Sequence, residues 1–368
     1  MNDFNKSDFF NLAFQETKIK SLTMKNRFIR SATWMASVEE NGFVNDETLS
    51  IYKKLADNNL GLIITGCSLV NKQNEHIRMM NISSDVYLDS LRKLTELVHK
   101  FNSKIAIQLY HDILPVYSGN RLVIKKEALP IHVFREKINE IVEKFGLATQ
   151  RAVKVGFDAI EIHAAHGYFL SRFLSPLFNK RSDEYGGSLE NRTRILVEII
   201  KKIRENVGNE YPIIVKINSE ENGKAVKDLV EIVKTLERSG VDLIELSGGN
   251  NVKFELSGKI YFLDSMEPYA RKDVDSIEKE AYFLQNAMEI KKEVNIPIIL
   301  VGGIRSPEMV YHILKNKYAD YIGLSRPLIA EPNLITKWKN GDLGKAKCLS
   351  CNSCFDIEFR EIVACKRY

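Results

Sequence analysis

The sequence predicts an α/β chain built as a (β/α)8 TIM barrel with a short C-terminal cysteine-rich tail. Three observations carry that prediction. Eight short runs are almost wholly apolar, which suits strands buried on both faces of a parallel sheet. Amphipathic helical segments separate those runs almost throughout. A length of 368 residues accommodates one large barrel or two ordinary domains, and an apolar fraction of 44% supplies a core for either. A doubly wound sheet is the competing arrangement, but the glycine fingerprint GxGxxG that often follows an early strand of that fold is missing.

Strand one is expected at Arg27–Thr33, strand two at Gly61–Cys67 and strand three at Ile105–Leu109. Ala159–His163, Ile213–Ile217, Leu243–Leu246, Ile298–Val301 and Tyr321–Leu324 supply strands four to eight. Helices are expected near 46–58, 86–101, 135–155, 188–207, 224–239, 276–293 and 306–317. Two helix starts carry clear local chemistry. Asn45 and Asp46 precede the first helix, and Ser306-Pro307-Glu308 offers a cap, a first-turn proline and an acid. The stretch 110–132 reads as irregular, and 247–275, with Ser247-Gly248-Gly249-Asn250, as a long connection. Long βα loops of such barrels tend to carry function. With no repeat beyond βα and no linker, the domains expected are a barrel over 1–340 and a tail over 341–368.

The formal net charge is +5, small for this length, and basic residues are dispersed among acidic ones. Lys201-Lys202 and Lys291-Lys292 fall in helical patterns and read as solvated faces, so nucleic acid is not an expected partner. Met1-Asn2-Asp3-Phe4-Asn5-Lys6 lacks the charged and apolar regions of a signal peptide. No apolar run approaches the ~18 residues a membrane span needs. The expectation is a cytoplasmic protein with a small-molecule substrate. Four of the five cysteines lie in the last 21 positions, which in a reducing compartment suggests a metal or redox centre rather than a disulfide scaffold.

The most informative stretch is His163-Ala164-Ala165-His166-Gly167-Tyr168, which follows the strand Ala159-Ile160-Glu161-Ile162 and continues to Arg181-Ser182-Asp183-Glu184-Tyr185-Gly186-Gly187 and Arg192. It delivers two imidazoles and a phenol at a strand's C-terminal end, where barrels place their active sites. Two imidazoles can donate to one substrate oxygen, and a phenol nearby can hand over a proton. By these residues the chain resembles the old yellow enzyme family of flavin-dependent reductases. The resemblance implies that His163 and His166 hold a carbonyl or nitro oxygen over the flavin while Tyr168 protonates the carbon alpha to it. Asp183, Tyr185, Gly186, Gly187 and Arg192 look like a signature of the same family, with a structural role in which the glycines turn the loop and Asp and Arg pair to hold it.

A second group follows strands seven and eight. Gly302-Gly303 and Gly323-Leu324-Ser325-Arg326-Pro327 combine glycines for close backbone approach, a short helix start and a guanidinium fork, which together suit a phosphate. Read alone they imply only a phosphate-bearing ligand, or turns. The resemblance assigns them the phosphate of FMN, with Ser325 standing where the family usually has Gly. It also assigns flavin contacts to Ser31, Ala32, Thr33, Cys67, Gln108 and Lys216. Gln108 would meet the pyrimidine edge and Lys216, more often Arg, the N1–C2 carbonyl region. Lys216 sits inside an apolar strand, where a lysine needs an anion; the other reading is an internal ion pair with a neighbouring carboxylate. Cys67 reads most simply as a small buried hydrophobe. Trp34 departs from the Thr or Cys common at its position.

Cys348, Cys351 and Cys354 stand at two-residue gaps, and Cys365 follows eleven residues on. Three such thiols and a distant fourth can wrap one soft metal centre, and the triple favours an iron–sulfur cubane over zinc, which usually takes two separated pairs. The run resembles the 4Fe-4S segment after the barrel of dienoyl-CoA reductases and trimethylamine dehydrogenase. The function implied is an FMN-dependent NAD(P)H oxidoreductase reducing activated C=C bonds, with NADH or NADPH as reductant. Two alternatives stay open: an iron–sulfur flavoprotein dehydrogenase passing electrons to a ferredoxin-like partner, and a flavin-free phosphate-binding barrel such as a lyase or isomerase. The oligomeric state is open, a homo-oligomer included.

Overall fold

Eight parallel strands close on themselves in the computed structural model, which describes residues 4–71, 78–111, 116–118, 121–125, 129–221, 224–249, 252–256, 259–261, 270–355 and 362–368. They are β1 (Phe28–Arg30), β2 (Leu62–Leu69), β3 (Lys104–Tyr110), β4 (Ala159–Ala164), β5 (Ile213–Asn218), β6 (Leu243–Ser247), β7 (Ile298–Leu300) and β8 (Tyr321–Leu324). Each pairs with the next, and β8 pairs with β1 to shut the barrel. The expected (β/α)8 architecture is therefore the observed one. Strand one is shorter than Arg27–Thr33, and strand two runs past Cys67 after a bulge between Ile64 and Cys67.

The helices packed around the barrel include α1 (Asp46–Ala56), α2 (Leu88–Lys100), α3 (Arg135–Lys154), α4 (Leu189–Val207), α5 (Leu229–Arg238), α6 (Leu284–Lys291) and α7 (Pro307–Lys315), followed by the short α8 (Arg326–Ala330), with further short helices at Lys6–Ala13, Phe169–Leu174 and Leu334–Lys339. The two signalled starts work as their side chains dictate: Asn45 accepts from the Thr48 N–H, and Ser306 from the Met309 N–H with Pro307 in the first turn. Two helices begin later than 224 and 276. Asp228 takes a left-handed φ of 66° just before α5, and Ala281 one of 49° before α6, so neither chain segment can be helical through those points.

Two cores result. The larger lies between barrel and helices, and a smaller one fills the barrel with Ile29, Leu62, Ile64, Ala106, Ala159, Ile214, Leu243, Ile299 and Tyr321. The antiparallel pair Thr17–Ile19 and Leu22–Met24 adds Leu22 and Met24 to that inner plug. The long connections are not wholly irregular. Arg121–Lys125 and Val252–Leu256 pair in parallel, each carrying an antiparallel partner, in a separate four-stranded sheet. No helix among the described residues is long and apolar enough to cross a membrane.

Candidate active site

Side chains alternate across a strand, so one parity of each barrel strand points inward. The inward plug residues Ala106, Ala159, Ile214 and Leu243 are followed two positions on by Gln108, Glu161, Lys216 and Glu245. Two further on come His163 in β4, Asn218 in β5 and Ser247 in β6. The barrel interior thus changes from apolar to polar as it rises toward the strand C-termini. There it opens on a cleft of about 1440 Å3, mouth included. All the barrel residues singled out in the sequence line this cleft: Ser31, Ala32, Thr33, Cys67, Gln108, His163, His166, Tyr168, Lys216, Gly302, Gly303, Ser325 and Arg326.

The two imidazoles and the phenol come together. The His163 ring centroid is 5.1 Å from that of His166 and 5.0 Å from that of Tyr168, each nearly edge-on, with His166 and Tyr168 6.3 Å apart. A doubly left-handed turn makes this possible. His166 has φ 64° and Gly167 φ 77°. The non-glycine conformation costs of order 1–3 kcal/mol. Its surroundings hold it: the His166 N–H donates to Asn218 Oδ1 at 2.9 Å, and the buried Arg172 donates to the Gly167 carbonyl at 3.1 Å. Tyr110 packs edge-on against Tyr168 at 5.1 Å.

Burial holds both imidazoles well below their usual pKa, and the Lys216 charge pushes the same way, so both rings are neutral near pH 7. His163 Nδ1 accepts from the Ala165 N–H at 3.3 Å, which places the ring proton on Nε2, as a donor. His166 Nε2 lies 2.7 Å from Ser247 Oγ. A hydroxyl donating there leaves the His166 proton on Nδ1.

The floor beneath the rings is charged. Lys216 Nζ is 2.7 Å from Glu245 Oε1, which also accepts from Ser31 Oγ at 2.6 Å. The ion-pair reading of Lys216 therefore describes it, and the same side chain also lines the cleft. Gln108 Nε2 donates to Glu161 Oε2 at 2.5 Å, and the Cys67 thiol donates to Gln108 Oε1 at 3.2 Å. Burial pushes the Cys67 thiol up to about 12, so it stays protonated. Glu161, Glu245, Ser247, Tyr110 and Tyr282 were not anticipated. The signal for the two glutamates was present: each is a charge inside an apolar run, as Lys216 is.

At the opposite end, Gly302 and Gly303 adopt φ of 119° and 76°. A Cβ on Gly303 would lie 2.9 Å from the Tyr282 ring, so backbone alone fits there. Ser325 Oγ is 2.8 Å from Thr33 Oγ1, and the buried Arg30 donates to the Ser325 carbonyl. Arg326 is itself buried; its Nη1 donates to the Arg271 carbonyl at 2.7 Å and to Asn352 Oδ1 at 2.5 Å. Trp34 lines the cleft with its indole N–H donating to the Arg78 carbonyl at 2.7 Å. The 181–192 loop is held differently from the expected Asp183–Arg192 pair. Asp183 pairs with Arg181, while Arg192 reaches Asp228 and donates to the Leu174 and Gly187 carbonyls, because its position on α4 faces those groups.

The tail folds back over the cleft. Ser350, Phe355 and Val363 line it, and Asn352 donates to the Ala270 carbonyl at 2.7 Å. Cys348, Cys351, Cys354 and Cys365 surround one small cavity of about 350 Å3, which Arg326 also lines. None of them is in a disulfide. Cys351 accepts from the Ser353 hydroxyl, which lowers its pKa, whereas burial pushes the Cys354 thiol up to about 11. Among the described residues, no three His, Cys, Asp or Glu side chains are placed to hold a metal ion.

Comparison with known proteins follows the same lines. The family model described as the NADH:flavin oxidoreductase / NADH oxidase family matches residues 13–343. An NADH oxidase of Thermoanaerobacter brockii is 33% identical over 92% of the chain, which spans about half, 52%, of that relative's length. An NADPH dehydrogenase of Clostridium acetobutylicum is 32% identical over 88% of the chain and 93% of its own length. The solved old yellow enzyme homologue from Zymomonas mobilis shares the fold, with a TM-score of 0.71 at 20% identity over 90% of this chain and 94% of that one.

Proposed function

Because the chain belongs to the NADH:flavin oxidoreductase / NADH oxidase family, we propose that it is an FMN-dependent NAD(P)H oxidoreductase that reduces activated C=C bonds. The observation that carries this reading is the cluster of two neutral imidazoles and one phenol at the mouth of the cleft.

The cleft's own residues suit FMN. The side-chain-free shelf at Gly302 and Gly303 admits a phosphate against backbone, with the Arg326 guanidinium beside it. Gln108, its amide nitrogen turned to Glu161, presents its oxygen as the acceptor for an N–H of the pyrimidine edge. Lys216 supplies positive charge from below. Bound here, reduced flavin supplies a hydride. The protein does the rest. His163 Nε2–H and the His166 ring donate to the substrate's activating oxygen, and donors fixed before the reaction stabilise the negative charge that builds on it. Tyr168 hands its proton to the carbon alpha to the activating group. NADH or NADPH would use the same mouth in alternation with substrate.

The test is ligand binding. Phenols mimic the anionic oxygen, and a bound phenol on flavin gives a long-wavelength absorbance band. The double variant His163→Ala/His166→Ala should lose that band with para-substituted phenols. Binding as tight as in the unaltered protein would remove the imidazoles from the role, and a colourless protein that refuses FMN would favour a flavin-free barrel.

A second reading concerns the tail, here taken as an addition (341–368) to a barrel unit (1–340). Four thiols lining one cavity are what supports a 4Fe-4S cluster there. The protein would then exchange single electrons with a ferredoxin-like partner.

A further inference from the structure

The floor of the cleft does not balance its charges. Glu161 of β4, Lys216 of β5 and Glu245 of β6 stand on consecutive strands with exposures of 0, 4 and 0%. Fully ionised, two carboxylates and one ammonium leave one negative charge in the interior. Among the described residues no second cation pairs with either carboxylate. Glu245 takes Lys216 and the Ser31 hydroxyl on Oε1, and Glu161 takes only the Gln108 amide on Oε2. Glu161 Oε1 and Glu245 Oε2 remain buried with no donor. The Glu245 charge lies close enough to act on Glu161, and Lys216 acts on both.

An unpaired buried carboxylate is strongly disfavoured, and a like charge nearby adds to that penalty. A single proton removes both penalties. Between the two carboxyls it gives each orphaned oxygen a partner and brings the trio to zero net charge. Its place follows from the neighbours. Glu245 already accepts from an ammonium and a hydroxyl, whereas Glu161 meets one neutral amide.

We propose that Glu161 and Glu245 hold one proton between them at neutral pH, resident on Glu161, and that Glu161 thereby acts as a positioning residue for Gln108 and Lys216. Burial first, and then the Glu245 charge, raise Glu161 well above the ordinary glutamate range, against the opposing pull of Lys216. The other titratable groups packed around the pair do not compete for the proton. Cys67 of β2 is already protonated, and His163 of β4 is held neutral. The amide of Gln108 is thereby fixed nitrogen-down, oxygen toward the cleft, and Lys216 keeps its full charge. This inference stands on the chain's own residues and survives failure of the flavin reading.

The test is infrared spectroscopy of the purified full-length protein at pH 8, unlabelled and with 13C-glutamate. The expected result is a protonated-carboxyl C=O band that shifts with the label and is missing from Glu161→Gln and from Glu245→Gln. No label-sensitive protonated band in the unaltered protein overturns the proposal, and that measurement needs no variant to fold. A band that persists in both variants overturns it as well. A second readout separates proton binding from mere packing. A raised folded-state pKa means the native state holds one proton more than the unfolded chain at pH above about 4.3. Stability therefore falls as pH rises through that window, by a factor of about ten in the unfolding constant per pH unit. Glu161→Gln should flatten this slope by one proton between pH 6 and 8. Equal slopes for the two proteins count against the shared proton.

Discussion

Replacing Tyr168 with Phe isolates the proposed proton donor from everything else at the mouth of the cleft. The ring keeps its edge-on contacts with Tyr110 at 5.1 Å and His163 at 5.0 Å, so no cavity opens. The stability cost is at most that of one hydrogen bond, roughly 0.5–1.5 kcal/mol. The chemical cost is larger. Neither neighbour can replace the phenol as an acid, because burial keeps both imidazoles neutral. A lost general acid costs about 10²–10⁴ in rate, equivalent to roughly 3–5 kcal/mol of barrier. Stopped-flow measurement can separate the two half-reactions. Reduction of the flavin by NAD(P)H should proceed at its normal rate in Tyr168→Phe, while reoxidation by an enone slows by that factor. Undiminished reoxidation would refute the assignment, and equal slowing of both halves would point to a general disturbance of the site.

Other expectations are accessible to simple measurements. Burial holds His111 down to about 3, so an imidazole that ordinarily titrates near 6.5 must stay neutral in the folded protein. The unfolded chain binds that proton and the native one does not, so stability is lost as pH falls below about 6.5. At pH 5 the His111 share is roughly 2 kcal/mol, with His163 and His166 acting in the same direction. Urea titrations at pH 7 and pH 5 should show the loss, and His111→Asn should reduce it. Arg326→Ala should weaken FMN retention about ten- to hundredfold, the worth of a charge-assisted bond of roughly 1.5–3 kcal/mol, measured as the FMN dissociation constant; an unchanged constant would place the phosphate elsewhere. Cys351→Ser should lower the iron content and the broad visible absorbance of anaerobically prepared protein while FMN stays bound; zinc, or no metal, in the unaltered protein would end the electron-relay reading.

How much of this was legible in the chain depended on whether a residue's meaning was local. A strand covered on both faces must be apolar along its length, so Ile213–Ile217 or Tyr321–Leu324 declared themselves. Residues that end such runs, His163 and Ser325-Arg326, were visible as breaks in an apolar pattern. Helix ends were less so. The stretches leading to Leu229 and Leu284 keep amphipathic composition, yet the left-handed backbone at Asp228 and Ala281 keeps them from joining the helices that follow. The charged floor was the least legible part. Lys216 was recognisable as a cation that needs an anion, but not which anion, because β5 and β6 are joined through a helix whose length does not set the register between them. Pairing of Lys216 with Glu245 and of Gln108 with Glu161 across adjacent strands settles it. A charge inside an apolar strand is costly wherever it occurs. Three such charges at the same inward parity on adjacent strands therefore form one object, and its protonation has to be decided for the group, not residue by residue.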